Sequence, residues 1–205
     1  ERGEFAHSEK IKDILEKEVV PEHSIKSLLK IASLLHDIGK PETLSFEGKR
    51  MRFFNHELEG SKHASNYLKE LKLSSKEIEI VERLIVLHMR PHNLSSIPEL
   101  TPRSMYRFFR DTEDLGIPLL FLALADAYAT RKCKMGELKE YEQFVNTMVD
   151  YFFKPKEVQS KPLLNGYELM ELLSLKPSPK VGEILEDLKE AQALNLVKTK
   201  EEAEN

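Results

Sequence analysis

At 205 residues, with 40% hydrophobic and 32% charged side chains, the chain holds enough apolar material for one helical domain of ordinary size and a small appendage. A formal net charge of −4 excludes a global basic field of the kind that coats nucleic acid, while leaving room for a local basic patch. Cys133 is the single cysteine, no stretch approaches ~20 apolar residues, and no basic-then-apolar leader opens the sequence, which excludes a disulfide framework and predicts a cytoplasmic protein without membrane span or secretory signal.

Glycine is scarce, at 8 residues, and strand-like alternation is almost absent, so the expected fold class is all-α. Ile11, Ile14, Leu15, Val19 and Val20 form one helical face that His7 shares, with Pro21 as the stop. Ser24 reads as the N-cap of a helix whose apolar rhythm runs Ile25, Leu28, Leu29, Ala32, Leu35, His36. The phase turns His36 toward the core. Gly39 reads as a left-handed helix end, and Pro41 forbids continuation. From Thr43 to Phe54 the rhythm is lost: Phe46-Glu47-Gly48-Lys49 is expected to turn, and Met51, Phe53 and Phe54 to anchor a loop onto the core.

His56 opens the next helix, with Leu58, Ala64, Tyr67, Leu68 and Leu71 on its apolar face. Ser74-Ser75-Lys76-Glu77 is a capping box; behind it Ile78, Val81, Leu84, Ile85 and His88 share a face, and Pro91 is the expected stop. Thr101-Pro102 starts a helix through Phe108 and Phe109, with Arg103, Arg107 and Arg110 outside. Pro118 starts an unusually apolar helix that nevertheless contains Asp126, and a further helix runs from about Glu137 to Phe153. Residues 155–162 read as a linker between a domain over 1–154 and a helical tail over 163–205. The tail reads as helices over Gly166–Leu173, Pro179–Leu194 and from Thr199, where Thr199 and Glu202 form a capping box.

His7, His36, Asp37 and Asp126 stand out as imidazoles and carboxylates at core-facing positions. A carboxylate inside an apolar helix must be paired, protonated or bound to a cation. Imidazole nitrogen with carboxylate oxygen is the donor set of a catalytic divalent ion, and His56 and His88 are two further imidazoles that could serve a second ion or hold a phosphate. His23, His63 and His92 read as ordinary core or surface histidines. Arg103, Arg107, Arg110, Arg131, Lys132 and Lys134 could make a local basic face for RNA, or a merely solvated one.

His7, then Leu35-His36-Asp37-Ile38-Gly39-Lys40, His56-Glu57, His88 and Ala125-Asp126-Ala127 together resemble the HD superfamily of metal-dependent phosphohydrolases, over roughly Phe5 to Arg131. The resemblance implies an all-helical HD bundle in which His7, His36, Asp37 and Asp126 ligate a first ion, Asp37 bridges to a second, and His56 and His88 serve that second ion. Met89 follows His88 where binuclear members often carry another His. Phe54-Asn55-His56-Glu57 and the tail from Leu164 to Ala203 are similar to the C-terminal half of bacterial tRNA nucleotidyltransferases and poly(A) polymerases that carry an HD domain. No Gly-rich nucleotidyltransferase motif and no Asp-x-Asp pair is present, so nucleotide addition by this chain alone is not expected. The implied activity is hydrolysis of 2′,3′-cyclic phosphates, 2′-nucleotides or other RNA-end phosphoesters. One or two divalent ions (Ni, Mn, Co, Mg, Fe or Zn) would serve it, with Asp37 and Lys40 catalytic and Lys40, His56 and His88 on the phosphate. The implied alternative is a tRNA-binding body and tail with a vestigial or structural metal site. On either reading the chain is the HD-plus-tail piece of a longer protein or a stand-alone relative.

Overall fold

A computed structural model of the chain describes residues 5, 7–130, 135–154 and 162–204. Among the described residues the fold is mostly α-helical, with two small antiparallel hairpins. It divides into one compact unit of Glu1–Leu100 with Phe108–Phe153, and a second of Thr101–Arg107 with Lys154–Asn205. Residues 101–107, which the sequence reading assigns to the first domain, thus group with the tail. The expected linker lies outside the described residues except for Pro162.

In the first unit α1 (Ser8–Glu16) ends before Pro21 is reached, because Glu18–Val20 is β1 and pairs with His23–Ser24, β2. α2 (Ile25–Leu35) follows, and Ser24 caps it as expected, accepting from the Ser27 amide at 3.4 Å. A short turn, α3 (Lys40–Thr43), carries Pro41 within it, so Pro41 continues the chain in helical geometry where a stop was expected. Leu44–Glu47 (β3) and Arg50–Phe53 (β4) form a hairpin in the segment expected to be a loop, with Gly48 at φ +62° in its turn. Period-2 alternation puts Leu44, Phe46, Met51 and Phe53 on one face through the pairs Leu44–Phe53 and Phe46–Met51. That face is not the expected core anchor: Phe46 is 69% and Met51 63% exposed, as is Phe54 at 66%.

α4 (His56–Glu70) and α5 (Ser75–Leu87) pack against each other, and α5 also packs on α2. Pro91 lies in the first turn of α6 (Met89–Ser95), where its missing N–H costs nothing, so the chain turns at His88 and stays helical. α7 (Pro102–Thr112) is capped by Thr101 as expected, with the Ser104 amide 3.2 Å from Oγ1. After a 3-10 turn (Glu113–Leu115), α8 (Gly116–Thr130) crosses the middle of the unit against α2 and α9 (Met135–Phe153). Leu28, Ala32, Val81, Leu84, Ile85, Leu119, Leu120 and Met148 are fully buried, so the core lies between α2, α5, α8 and α9. No helix among the described residues is long and apolar enough to cross a membrane.

The capping box at Ser74 has a partner that sequence reading misses. Glu77 accepts from the Ser74 amide at 2.7 Å and hydroxyl at 2.6 Å, and its other oxygen pairs with the His23 ring. The Glu77 side chain is buried, and the Ser74 and His23 hydrogen bonds hold its carboxyl down at about 2 against an ordinary value near 4.5. The folded value lies below the unfolded one. The stabilisation is therefore present above about pH 4.5 and is lost as pH falls toward 2. Glu77→Gln is expected to lower stability at neutral pH by on the order of 1–2 kcal/mol and to flatten the urea midpoint between those pH values.

The second unit holds α10 (Gly166–Leu172), α11 (Pro179–Ala193) and α12 (Lys200–Glu204), close to the expected bounds. Leu164, Leu169 and Val181 form its core, flanked by Met170, Leu175, Ile184, Leu185, Leu188 and Ala203. Thr199 caps α12 through the Glu202 amide at 3.3 Å, but the Glu202 carboxylate accepts from Lys198, so the expected box closes one residue early.

Candidate metal centre

The end of α2 and the start of α4 are brought together by two glycines. A Cβ on Gly39 would lie 2.3 Å from the His56 carbonyl oxygen and 2.5 Å from the Gly60 amide nitrogen. Gly39 is therefore required for close backbone approach. Its φ is −81°, so it is not the left-handed helix end that its place after α2 suggests. This crossing fixes His36 and Asp37, on the tight turns after α2, beside His56. His88 arrives from the α5–α6 corner.

Three imidazoles are set in the same way. The Nδ1–H of His36 donates to the Ser33 carbonyl at 3.0 Å, that of His56 to Phe53 at 2.8 Å, and that of His88 to Ile85 at 2.6 Å. A carbonyl only accepts, so each Nδ1 carries a proton, which leaves Nε2 as the ring atom that can offer a lone pair. Those Nε2 atoms converge on Asp37: His36 at 3.4 Å from Oδ2, His56 at 3.5 Å and His88 at 3.9 Å from Oδ1. The ligand atoms of Asp37, His56 and His88 all lie within 4.8 Å of one another. His56 Nε2 and His88 Nε2 are 3.2 Å apart. Two lone pairs at that distance repel unless a cation or a proton lies between them. His36 Nε2 is buried and is the one such side-chain atom among the described residues with no hydrogen-bond partner. Backbone carbonyls that fix the tautomer of metal-facing histidines are what a divalent-ion site requires, and the nitrogen-plus-carboxylate donors fit one.

Burial pushes His88 down to about 4, so it stands neutral with its lone pair available. The Asp126 carboxylate raises His36, against the cost of burial, and the His36 and His92 imidazoles beside it hold the Asp126 carboxyl well below the usual range. Lys40 Nζ sits 2.6 Å from Asp37 Oδ2 and over the Phe53 ring, so it holds positive charge at the rim.

The structure thus brings together His36, Asp37, Lys40, His56, His88 and Asp126 from the expected set; Asp126 Oδ1 is 3.7 Å from His36 Nε2. It does not bring His7 to Asp37. His7 has φ +64°, ahead of the first helical residue, so helical phasing does not govern its side chain. Its Nε2 lies 3.3 Å from Asp150, and its ring packs on Phe153. His92, read from sequence as an ordinary histidine, has Nε2 3.4 Å from Asp126 Oδ2. Its i+4 spacing from His88 across Pro91 is the signal that could have found it.

The arginines expected to face RNA have roles within the fold. Arg103 reaches Glu190 Oε1 at 2.6 Å, and Arg107 grips both Glu190 oxygens at 2.7 and 3.0 Å; all three residues belong to the tail unit. Glu190 is buried, so the guanidiniums neutralise a carboxylate that would otherwise be costly. Arg110 pairs with Asp111. Arg131, Lys132 and Lys134 lie outside the described residues.

Residues 50–203 match the family model described as tRNA nucleotidyltransferase domain 2. The chain is 35% identical over 176 residues to the CC-adding tRNA nucleotidyltransferase of Thermus thermophilus, covering 85% of this chain and 38% of that protein. It is 34% identical over 179 residues to the A-adding tRNA nucleotidyltransferase of Deinococcus radiodurans, covering 86% and 40% respectively. A CC-adding tRNA nucleotidyltransferase of Synechocystis is 26% identical over 144 residues. The chain spans about two fifths of the length of the first two relatives. The match takes in His56, His88 and Asp126 and runs through the tail helices, so the chain belongs to the tRNA nucleotidyltransferase domain 2 family.

Proposed function

We propose that the chain is an HD-type, divalent-metal-dependent phosphohydrolase module of a tRNA nucleotidyltransferase-like protein. Its substrates are 2′,3′-cyclic phosphates, 2′-nucleotides or phosphoesters at RNA ends. The observation that carries this reading is the common setting of His36, His56 and His88, each with Nδ1–H on a backbone carbonyl and Nε2 toward Asp37. His36, Asp37, His56, His88 and Asp126 are the residues that would hold the metal. A bound divalent cation supplies Lewis acidity to a phosphoryl oxygen and acidifies a neighbouring water. Asp37 orients the attacking water by accepting its hydrogen bond. Lys40, already within 2.6 Å of Asp37, places its ammonium beside the phosphate and offsets charge that grows on it in the transition state. RNA ends are the substrate class because the relatives are named for adding nucleotides to tRNA.

The test is hydrolysis of 2′,3′-cyclic AMP by metal-stripped protein after return of nickel, manganese, cobalt or magnesium. Activity is expected in the wild type and a loss of at least about 1,000-fold in His36→Ala/Asp37→Ala. Undiminished activity in the double variant sinks the reading. A second reading is favoured by the family match, which continues to residue 203 through a tail with its own core. On that reading the chain is a tRNA-binding body and tail, and the metal site is structural. Salt-sensitive tRNA binding that is indifferent to metal, without hydrolysis, would select it.

A further inference from the structure

We propose that His92 is a positioning residue of this site, which holds Asp126 through an Nε2–H hydrogen bond so that Asp126 Oδ1 faces His36. The inference rests on the reading of the cluster as a cation site. His92 differs from the other three imidazoles in its tautomer. Its Nδ1 faces the Tyr141 hydroxyl, which can donate, where theirs face carbonyls that only accept, so its Nε2, 3.4 Å from Asp126 Oδ2, is free to carry the proton. Its Nδ1 is 3.2 Å from the Tyr141 hydroxyl, with the two rings 5.4 Å apart and tilted by 30°. With the proton on Nε2, Nδ1 of the neutral ring accepts from the Tyr141 O–H. The order is therefore Tyr141 O–H to His92 Nδ1, then His92 Nε2–H to Asp126.

Asp126 is held from two sides by this arrangement. Its Oδ2 meets His92 and its Oδ1 stands 3.7 Å from the unpartnered His36 Nε2. An Nε2 that donates a proton is not offered as a ligand. His92 therefore acts through Asp126, whereas His36, His56 and His88 offer lone pairs directly. Partners that orient ligating carboxylates and imidazoles are typically worth about 10–100-fold in metal affinity. The three residues come from separate elements, α6, α8 and α9. Tyr141 itself is 3% exposed, so the hydroxyl is carried on a packed side chain.

The experiment is titration of the metal-stripped full chain with Co2+, reading affinity by calorimetry and site geometry by the visible ligand-field spectrum. His92→Ala is expected to weaken Co2+ binding by about 10–100-fold and to alter the spectrum. His92→Gln, whose amide nitrogen can occupy the place of Nε2, is expected to recover most of the affinity. His92→Asn, which mimics Nδ1, is not. Tyr141→Phe is expected to lose about 3–10-fold. His63→Ala, which removes an imidazole paired only with Glu42 among the described contacts, is expected to match the wild type. Circular dichroism identifies any variant that has lost its fold, and the Gln–Asn comparison then carries the test. Co2+ binding by His92→Ala within twofold of wild type, or Gln no better than Ala, overturns the role of His92 and leaves the metal reading intact. A wild-type protein that binds none of Co2+, Mn2+ or Ni2+ removes the metal reading and this role together.

Discussion

Asp37→Asn is expected to abolish measurable divalent-cation binding, and His56→Ala or His88→Ala to weaken it at least about 100-fold, roughly 3 kcal/mol each. Asp37 is the carboxylate on which all three Nε2 atoms converge, and the exchange to Asn removes its charge while keeping its shape. Its side chain is about one-third exposed, so the fold has little reason to notice. The measurement can be made without any substrate. Ligand that binds only the native state raises stability by RT ln(1 + [L]/Kd), about 2.7 kcal/mol at 100 times Kd. The wild type should therefore show a melting temperature that climbs with Mn2+, Co2+ or Ni2+ concentration, and Asp37→Asn a flat one. Relief of the repulsion between the His56 and His88 lone pairs, 3.2 Å apart, contributes to the same shift. A wild-type melting temperature unmoved by all three ions would remove the cation from the account.

The local signals in the sequence proved readable where they concern one helix at a time. Ser24, the Ser74–Glu77 box and Thr101 cap the helices they were expected to cap. The phase that carried Ala32 inward carried His36 with it, because His36, the residue that caps the end of α2, keeps a helical backbone and donates its amide to the Ala32 carbonyl. Phase stopped being informative at the element ends. His7, with its left-handed backbone, meets Asp150 and Phe153, and Pro41 and Pro91 began new turns where they were expected to end old ones. Pairings across long stretches of chain left no local trace. His23 with Glu77, Arg103 and Arg107 with Glu190, and His92 with Asp126 and Tyr141 are each set by packing of separate helices. The histidines near Asp37 are legible in the sequence through their resemblance to the HD pattern. Their shared tautomer is not, since it depends on which backbone carbonyl each Nδ1 meets.

Gly39→Ala is expected to be the most disruptive single-methyl change in the site, costing about 3 kcal/mol or more and weakening cation binding with it. The added Cβ meets backbone on both sides, the His56 carbonyl oxygen at 2.3 Å and the Gly60 amide nitrogen at 2.5 Å. A flexible side chain could swing away from such a contact; a helical backbone cannot. Relief requires the turn after α2 to separate from the first turns of α4, which moves Asp37 away from His56. The two losses should therefore appear together, in the urea midpoint and in the Co2+ affinity. Gly182→Ala supplies the contrast, since its Cβ would meet nothing within 4 Å inside α11. That change should hold or raise stability, by up to about 1 kcal/mol, through helix propensity and a less flexible unfolded chain. Gly48→Ala, equally free of neighbours but at φ +62°, should lose about 1 kcal/mol to backbone strain alone. If Gly39→Ala cost no more than Gly48→Ala, the α2–α4 contact would give way to a Cβ and close approach would not be what the site needs from Gly39. Retained Co2+ affinity in a destabilised Gly39→Ala would separate the crossing from the placement of Asp37.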